Sequence, residues 1–492
     1  MSTFPHDNYA RHVLLPAYDD ALTYLFEPML AAHEAHALML GDCGVLSPEN
    51  VQAILQAVAY IRTRGPDHLQ YQSGIEDLFF RVEKEIIGVA GADFGGNLQL
   101  ARSRNDLGQA LARMAFRTQV INLADALMGL RRAVLTLAGE HVETVMPGYT
   151  HTQPAQPTTF AHYLAGVLTF LEGDQQRVFN AYANVNESPL GAAAFTGTGF
   201  PVDRALVAEF LGFDAVIQST HHSIGAGDHL TDVAFAVQSL CIGLGRVTRD
   251  LLFLATQEAG ALHIDDSFIQ ISSIMPQKRN PVVLEHLRAR LGRAVGFAQT
   301  VVTNCHNIPY GDTQDIEDEI MPPLMAALAT AQDCLELYTS VFETLKLNVD
   351  HLARRAGEGF TTATELADTL VRVVGLPFRT AHHIVATMVK TAVAAGVPST
   401  ALTLPMLQAA AEDVTGEELE FSEDQFRQAL DPRSFIDVRN GPGGVAPEST
   451  EDLLDVLAEQ LVDDNEWLSN IRHRLAAAEQ TRHLAVKTIC KK

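Results

Sequence analysis

The sequence predicts an all-α protein built around a central bundle of long helices. Of its 492 residues, 47% are hydrophobic, only 7% are aromatic and one is Trp, which suits an Ala-, Leu- and Val-rich helical protein better than a β-sandwich. Three stretches repeat apolar residues at alternating steps of three and four, the spacing of helices packed at shallow angles. The longer stretches would span about 30 Å or more. The apolar positions are Leu123, Leu127, Leu130, Val134 and Leu137; Val233, Val237, Leu240, Leu244, Val247, Leu251 and Leu254; and Leu324, Leu328, Ala331, Leu335, Tyr338, Phe342 and Leu345.

Changes of pattern along the chain predict three helical domains. Residues 1–105 form an N-terminal helical domain, with a helical pattern at Leu46–Ile61 and a polar stretch at Gly65–Gly74. Residues 106–348 form the central helical bundle, and residues 349–492 form a C-terminal helical domain interrupted at Gly375–Pro377 and Asp431–Pro447. Long bundle helices often have apolar faces that one chain cannot cover, so we expect an oligomer. An elongated monomeric bundle is the alternative.

Charge and cysteine content limit the partners and the location. The formal net charge is −25 and the isoelectric point is near 5.1, which argues against nucleic acid and anionic membranes as partners. The five cysteines are odd in number and none has CxxC spacing, so we expect reduced thiols without a disulfide framework or a zinc site. The N-terminus lacks a signal-peptide pattern, and no uninterrupted apolar run is long enough to span a bilayer. These features predict a cytoplasmic protein.

The most informative segment is Ser272–Pro281, which reads SSIMPQKRNP. Helical spacing of apolar residues resumes from Val283 to Leu291, so the segment is predicted to be a polar loop that leads into a helix. Free N–H groups and a partial positive charge at a helix N-terminus favour anions. A serine there, with Lys278 nearby, could lose its proton more easily than a free serine. A basic surface turn is the simpler alternative for an isolated KRNP.

Two further segments carry polar side chains suited to a small anionic substrate. Ala101–Asp106 reads ARSRND and offers two arginines, a serine and an asparagine as a carboxylate clamp, although a capped helix start with solvated arginines is the alternative. Met146–Pro157 reads MPGYTHTQPAQP and places Thr150 and His151 in a proline-bounded loop, where the histidine is a candidate for proton transfer. A third segment, Ser188–Asp203, is rich in glycine and small residues and suits close packing more than chemistry.

Together with Gly359–Asp368 (GFTTATELAD), Leu376–His382 (LPFRTAH) and a GGVAP run ending at Pro447, these segments resemble argininosuccinate lyase, a branch of the fumarase/aspartase superfamily. The mobile catalytic loop of that superfamily reads Gly-Ser-Ser-x-Met-Pro-x-Lys-x-Asn-Pro. This chain has the whole loop except its leading Gly, which is replaced by Ile271. The resemblance extends from about residue 30 to residue 447.

The resemblance implies an all-α homotetramer with a central twenty-helix bundle. Each active site would be assembled from three subunits, which supply the Ser-Arg-Asn run, the Thr-His pair and the serine loop. The family pairs its Thr-His histidine with a glutamate just after the loop. The residues implied for catalysis are Ser272, His151, Lys278 and Glu285, and those implied for substrate binding are Ser103, Arg104, Asn105, Thr150, Asn280, Tyr310 and Gln314.

The implied reaction is the elimination of fumarate from an N-substituted aspartate. Ser272 would remove a proton from the carbon beside a carboxylate, and the resulting enediolate would expel an amine or guanidine. Electrostatic stabilisation of such an enediolate usually contributes most to the rate, and Lys278, Asn280 and loop N–H groups are suited to it. No metal or organic cofactor is expected, because the sequence has neither a ligand-spaced cluster nor a Gly-rich phosphate loop. The expected partners are a small-molecule dicarboxylate and other copies of the chain.

Departures from the family pattern leave the amine side of the substrate open. Gln99, Leu100 and Gln72 stand where the family usually has His, Thr and another His. Ile308–Glu319 reads IPYGDTQDIEDE and lacks the family's substrate-binding lysine. The default substrate is argininosuccinate, in arginine biosynthesis. One alternative is a lyase for another N-substituted aspartate, such as ethylenediamine-N,N′-disuccinate, and another is a non-catalytic structural relative of the lens-crystallin kind.

Overall fold

The structure of the protein, a computed structural model, describes residues 4–491 and their side chains except that of Glu317. The N-terminal region packs its helices around an apolar core that includes Leu30, Val58 and Ile86. Its α-helices are α1 Asp7–Tyr9, α2 Leu15–Tyr24, α3 Phe26–Asp42, α4 Pro48–Arg64, α5 Leu78–Ala90 and α6 Ala92–Gly95, with a π-helical turn at Ala10–Leu14 and 3-10 turns at Pro66–Leu69 and Gly96–Gln99.

The central region contains long bundle helices, as the apolar repeats predict. The three patterned stretches lie in the helices Arg104–Glu140 (α7), Asp228–Leu254 (α11) and Met321–Thr344 (α13), except that Leu345 directly follows the last helix. Their apolar residues are buried in one core. Pro322 and Pro323 lie in the first turn of the last of these helices, where a missing N–H costs little. The α-helices of this region are α7 Arg104–Glu140, α8 Phe160–Val185, α9 Arg204–Leu211, α10 His222–Gly225, α11 Asp228–Leu254, α12 Val282–Asn304 and α13 Met321–Thr344.

Neighbouring bundle helices differ in direction. Arg113, early in α7, donates to the carbonyl of Asn184, late in α8, at 2.6 Å. Gln238, in the first half of α11, bonds Gln299, late in α12, at 3.1 Å. Gln332, in the first half of α13, donates to a backbone carbonyl in the first half of α7 at 3.0 Å. One cavity is lined by Arg104, His229 and Met321, from the first turns of α7, α11 and α13. These three helices therefore begin at the same end of the bundle, and α8 and α12 begin at the opposite end.

These two ends organise the site. The clamp end holds residues 103–105 and 310–321, where α7 and α13 begin. The loop end holds residues 145–159 and 262–282, which lead into α8 and α12. The α7 helix has 37 residues, so the two ends are about 55 Å apart along it.

The strands of the described residues form two-stranded ribbons. Strands β1 and β2, β5 and β8, and β6 and β7 pair antiparallel, whereas β3 and β4 pair parallel. Two of the ribbons, β1–β2 and β6–β7, carry predicted site residues. The strands are β1 Val145–Thr150, β2 Gln153–Thr159, β3 Glu187–Ser188, β4 Ala215–Val216, β5 Leu262–His263, β6 Gln270–Ile271, β7 Arg279–Asn280 and β8 Lys346–Leu347.

The C-terminal region has its own small core and then returns to the bundle. Leu366, Ile384 and Phe426 belong to that core. The last helix has 44 residues, and its Asp464 pairs with the buried Arg131 of α7. The predicted domain boundaries at residues 105 and 348 stay a prediction. The helices are α14 Val349–Ala356, α15 Ala363–Thr369, α16 Phe378–Ala394, α17 Leu404–Thr415, α18 Glu423–Leu430, α19 Pro432–Asp437 and α20 Pro447–Cys490.

One helical stretch in residues 4–491, His222–Leu254, is long and apolar enough to cross a membrane by length and composition. Charged residues such as Asp232 and Arg246 interrupt this stretch, so the prediction that no uninterrupted apolar run could span a bilayer is not contradicted. Half of its most apolar window is buried within the protein, because α11 packs against α8 and α12. We assign the stretch to the bundle core.

Candidate active site

The ARSRND segment forms the start of α7 at the clamp end. Ser103 caps the helix, and its Oγ accepts the backbone N–H of Asn105 at 3.3 Å. Arg104 lies 2.9 Å from Asp77 and 3.2 Å from a second carboxylate. The paired carboxylates limit the orientations of the guanidinium. Ser103, Arg104 and Asn105 thus share one helix start, as predicted.

The clamp contains one arginine rather than the two that the sequence suggested. Arg102 is buried, donates to Gln99 at 2.6 Å and lies 3.0 Å from a ring nitrogen of His33. Burial lowers the pKa of Arg102 to about 10, so it stays charged at neutral pH. Because its side chain points into the N-terminal region, only Arg104 of this pair can face a substrate at the clamp end.

Asp106 anchors the clamp, a role that the sequence motifs did not predict. Its fully buried carboxylate accepts N–H groups from Ser103 at 2.8 Å, Gly191 at 3.0 Å and Ala193 at 3.1 Å. Burial raises the pKa of this carboxyl. The small-residue segment predicted to serve packing therefore also holds the start of α7. A signal was present, because Ser103 and Asp106 have the spacing of a capping box.

The segment between α12 and α13 brings Tyr310 and Gln314 to the clamp end. A π-helical turn at Asp315–Glu319 follows, and its Asp318 lines a cavity of about 110 Å³ together with Asp77 and Arg104. Burial, followed by the charge of Asp77, raises the pKa of Asp318 to about 6. At least one acidic side chain of the Ile308–Glu319 segment thus faces the clamp.

His229 lines the same cavity and is buried. Neither of its ring nitrogens has a hydrogen-bond partner among the described residues. Burial, followed by the charge of Arg113, lowers the pKa of His229 to about 3, so the ring is neutral.

Within residues 4–491, no group of three or more His, Cys, Asp or Glu side chains could hold a metal ion.

Thr150 and His151 lie at the tip of the β1–β2 ribbon at the loop end. The sequence suggested an irregular loop, but the segment is a hairpin in which Thr150 pairs with Gln153. The prolines do not prevent pairing, because both strands of a two-stranded ribbon are edges where a proline nitrogen can face outward. His151 adopts φ +52° in the turn, and both predicted side chains are exposed.

The serine loop is the turn of the β6–β7 ribbon. The Oγ of Ser272 accepts backbone N–H groups from Met275 at 3.1 Å and Ile274 at 3.4 Å. These donors come from the loop itself and not from the helix N-terminus that the sequence pattern suggested, which begins only after β7. Lys278 donates its backbone N–H to Met275 at 3.0 Å, and the side-chain amide of Asn280 bonds the opposite strand at 2.9 Å.

The structure divides the predicted residues between the two ends of the bundle. Glu285 lies exposed in the first turn of α12, next to the serine loop. Because α7 separates the ends by about 55 Å, one chain does not bring the complete set together. The clamp end carries Ser103, Arg104, Asn105, Tyr310 and Gln314, and the loop end carries Thr150, His151, Ser272, Lys278, Asn280 and Glu285.

Comparison with known proteins gives consistent matches along the chain. Residues 21–296 match a lyase family model, and residues 360–437 match the model of the argininosuccinate lyase C-terminal region. Argininosuccinate lyase 2 of Agrobacterium fabrum is 38% identical over 450 residues, which cover 91% of this chain and 89% of the relative. Argininosuccinate lyase of Methanosarcina barkeri is 36% identical over 438 residues, covering 88% and 87%.

Solved structures agree with this result. The crystal structure of EDDS lyase in complex with formate has a TM-score of 0.89 and 32% identity, and the match covers 100% of this chain and 97% of that one. A class II fumarase from Schistosoma mansoni has a TM-score of 0.70 at 15% identity, covering 87% and 92%, and shows the shared fold alone.

The helical fold and the matched models define a carbon–nitrogen lyase of the fumarase/aspartase superfamily. Within that superfamily, the chain belongs to the argininosuccinate lyase family. The prediction of the family and of the all-α fold class is therefore confirmed.

Proposed function

We propose that this protein eliminates fumarate from an N-substituted aspartate, with argininosuccinate as the preferred substrate. The observation that carries the proposal is the serine hairpin, in which two backbone N–H groups hold the Oγ of Ser272. Lys278 lies in the same turn, and the match to an argininosuccinate lyase covers 91% of the chain. We further propose a cytoplasmic role in arginine biosynthesis.

Ser272 would act as the base. The N–H groups of Ile274 and Met275 stabilise negative charge on its Oγ, which takes the proton from the carbon beside a carboxylate. The C–H electron pair then moves into that carboxylate as an enediolate, whose charge Lys278 and Asn280 stabilise. When the enediolate collapses, the C–N bond breaks, its electron pair goes to nitrogen, and fumarate is released.

The remaining predicted residues would bind the substrate and move the second proton. Ser103, Arg104 and Asn105 supply a hydroxyl, a guanidinium and an amide for the two carboxylates, and Thr150 adds a second hydroxyl. His151, paired with Glu285, would orient the substrate or donate the proton that the leaving nitrogen takes.

We infer that the site is composite and that the protein is a homotetramer. Within one chain, the clamp and the serine loop lie at opposite ends of the helix bundle, so a second copy running the other way is needed to join them. Exposed apolar side chains support contacts between copies. Ile271 and Ile274 in the serine hairpin are 78% and 83% exposed, and Phe235 and Ile242, two turns apart on α11, are 52% and 55% exposed.

An EDDS lyase activity is the second candidate. The crystal structure of EDDS lyase matches the whole chain, and Ile308–Glu319 lacks the lysine expected from the family pattern. The acidic side chain of Asp318 lines the clamp-end cavity instead. A carboxylate attracts a cationic leaving group and repels an anionic one, which favours argininosuccinate over a disuccinate with a second acidic arm.

The test is a steady-state assay of fumarate release, followed by ultraviolet absorbance, with argininosuccinate and ethylenediamine-N,N′-disuccinate. We expect argininosuccinate to be preferred. Ser272→Ala should lower kcat by at least about 10²-fold with the fold intact, and the neighbouring Ser273→Ala serves as the matched control with a much smaller loss.

The outcomes separate the alternatives. Activity of Ser272→Ala within a few-fold of wild type would contradict the assignment of the base. A clear preference for the disuccinate would favour the second candidate. A folded wild-type protein that releases no fumarate from either substrate would leave the non-catalytic alternative.

A further inference from the structure

Two adjacent histidines hold Tyr310 at the clamp end. The Nδ1 of His222 lies 2.5 Å from the hydroxyl of Tyr310. The Nε2 of His221 lies 3.0 Å from the backbone carbonyl of Tyr310, and the two rings stack with centroids 5.7 Å apart. A Cβ on Gly225 would approach the backbone of Tyr310 to 3.0 Å. The tyrosine is therefore fixed on one side, while the residue as a whole stays 59% exposed.

The other ring nitrogen of His222 faces a carboxylate. Its Nε2 lies 3.8 Å from the Oδ2 of Asp228. Asp228 accepts the backbone N–H of His229 at 3.0 Å, and its contact with His229 holds the pKa of its carboxyl well below the usual range, so it stays ionised. A carboxylate beside Nε2 favours the tautomer with the hydrogen on Nε2, which leaves Nδ1 as a hydrogen-bond acceptor.

This tautomer determines what Tyr310 can offer a ligand. A tyrosine hydroxyl has one hydrogen to donate and lone pairs to accept. When the hydrogen is donated to Nδ1 of His222, the phenolic oxygen can only accept. A ligand carboxylate, which is an acceptor without a hydrogen, then gains nothing from this group, whereas a ligand N–H forms a hydrogen bond.

We propose that His222 positions Tyr310 and makes its hydroxyl an acceptor for the N–H groups of a guanidinium or ammonium on the leaving group. The inference rests on the proposed function and on the prediction from the family resemblance that Tyr310 binds the substrate. It deepens that function by assigning the recognition of the amine side to a Tyr310–His222–Asp228 arrangement. Tyr310 binds the ligand, and His222 is a positioning residue.

A purely structural role for His222 makes a different prediction. If the histidine only supports the chain between α12 and α13, its loss should change stability or kcat and act alike on every ligand. If it sets the direction of the Tyr310 hydroxyl, its loss should raise KM for a guanidinium substrate and spare kcat. The effect should also disappear once the hydroxyl of Tyr310 has been removed.

The experiment uses His222→Leu, His222→Asn, Tyr310→Phe and the double variant His222→Leu/Tyr310→Phe. His306→Leu, an exposed histidine of the same connecting segment, is the matched control. KM and kcat are measured with argininosuccinate, and binding of free arginine and of ethylenediamine is measured by calorimetry, which needs no turnover.

We expect His222→Leu and Tyr310→Phe each to raise KM about tenfold or more, the scale of one hydrogen bond to a charged group, with kcat changed less than about threefold. The double variant should match Tyr310→Phe, and His222→Asn, whose amide can replace Nδ1, should recover most of the loss. Arginine affinity should follow the same order.

Independent effects of the two single variants, which multiply in the double variant, would overturn the inference, as would a loss confined to kcat. Wild-type protein that binds neither arginine nor ethylenediamine would also overturn it. Failure of the proposed function alone would look different. Wild type and the variants would then still bind arginine with the expected order of affinities, but wild type would release no fumarate.

Discussion

Removal of the Asp106 carboxylate should destabilise the protein and loosen the clamp. Asp106 is fully buried and accepts three backbone N–H groups, from Ser103, Gly191 and Ala193. Asp106→Ala leaves all three donors without that acceptor. Each unsatisfied buried donor costs about 1–3 kcal/mol. Water entering the vacated space offsets part of the sum, so we expect a loss of about 3–5 kcal/mol in the free energy of unfolding.

Urea denaturation at neutral pH measures this loss, and Asp203→Ala is the matched control. Asp203 is also an aspartate at a helix N-cap and accepts N–H groups from Ala205 and Leu206 at 2.9 and 3.0 Å, but it is exposed. An exposed cap of this kind contributes about 1 kcal/mol. If the alanine variant of Asp106 does not fold, Asp106→Asn, which keeps one acceptor oxygen, should show a smaller loss in the same assay.

The same substitution should affect activity through substrate binding. Ser103 and Arg104 lose the anchor that ties the start of α7 to the segment around Gly191, so KM should rise more than kcat falls. Stability of Asp106→Ala within about 1 kcal/mol of wild type, as for the control, would refute the assigned bonding.

Two further predictions concern charged groups. The folded-state pKa of Asp318, about 6, lies above its ordinary value of 3.8, so wild-type stability should fall as pH rises from about 4 to about 6. Asp318→Asn should remove that fall and raise the free energy of unfolding at neutral pH by about 1 kcal/mol, after discounting for solvent screening. If the urea midpoints of both proteins change in parallel between these pH values, the prediction is contradicted. Asp464→Ala should lower the free energy of unfolding by about 3–5 kcal/mol, because it leaves Arg131 buried without its partner. Combining Asp464→Leu with Arg131→Met should recover most of that loss. Equal stability of wild type and Asp464→Ala in urea would contradict this prediction.

The sequence predicted the bundle well because its signal is local. Apolar residues three and four apart report directly on the buried face of a helix, and the patterned stretches lie in α7, α11 and α13. The pattern is weaker in α8, where the polar side chains of Asp174 and Gln175 are buried in the interior. Those two residues interrupt the apolar repeat that would have marked the helix.

The sequence proposed candidate site residues but did not predict their geometry. Ser272 and His151 lie in the turns of two-stranded ribbons, which short, proline-containing sequences do not predict. The role of Asp106 depends on Gly191, far away in the chain, and the contact of His222 with Tyr310 spans 88 residues. Such long-range contacts follow from packing and leave no periodic trace in the sequence.

The composite site is the central claim, and subunit complementation tests it most directly. Ser272→Ala disables the serine loop and Arg104→Ala disables the clamp. Within one chain, these two residues lie at opposite ends of the helix bundle. Each variant alone should release almost no fumarate from argininosuccinate. After the two are mixed under conditions of verified subunit exchange, some sites receive both intact parts, so partial activity should return. A mixture that stays inactive after exchange would contradict the composite site, because each site would then lie within a single chain.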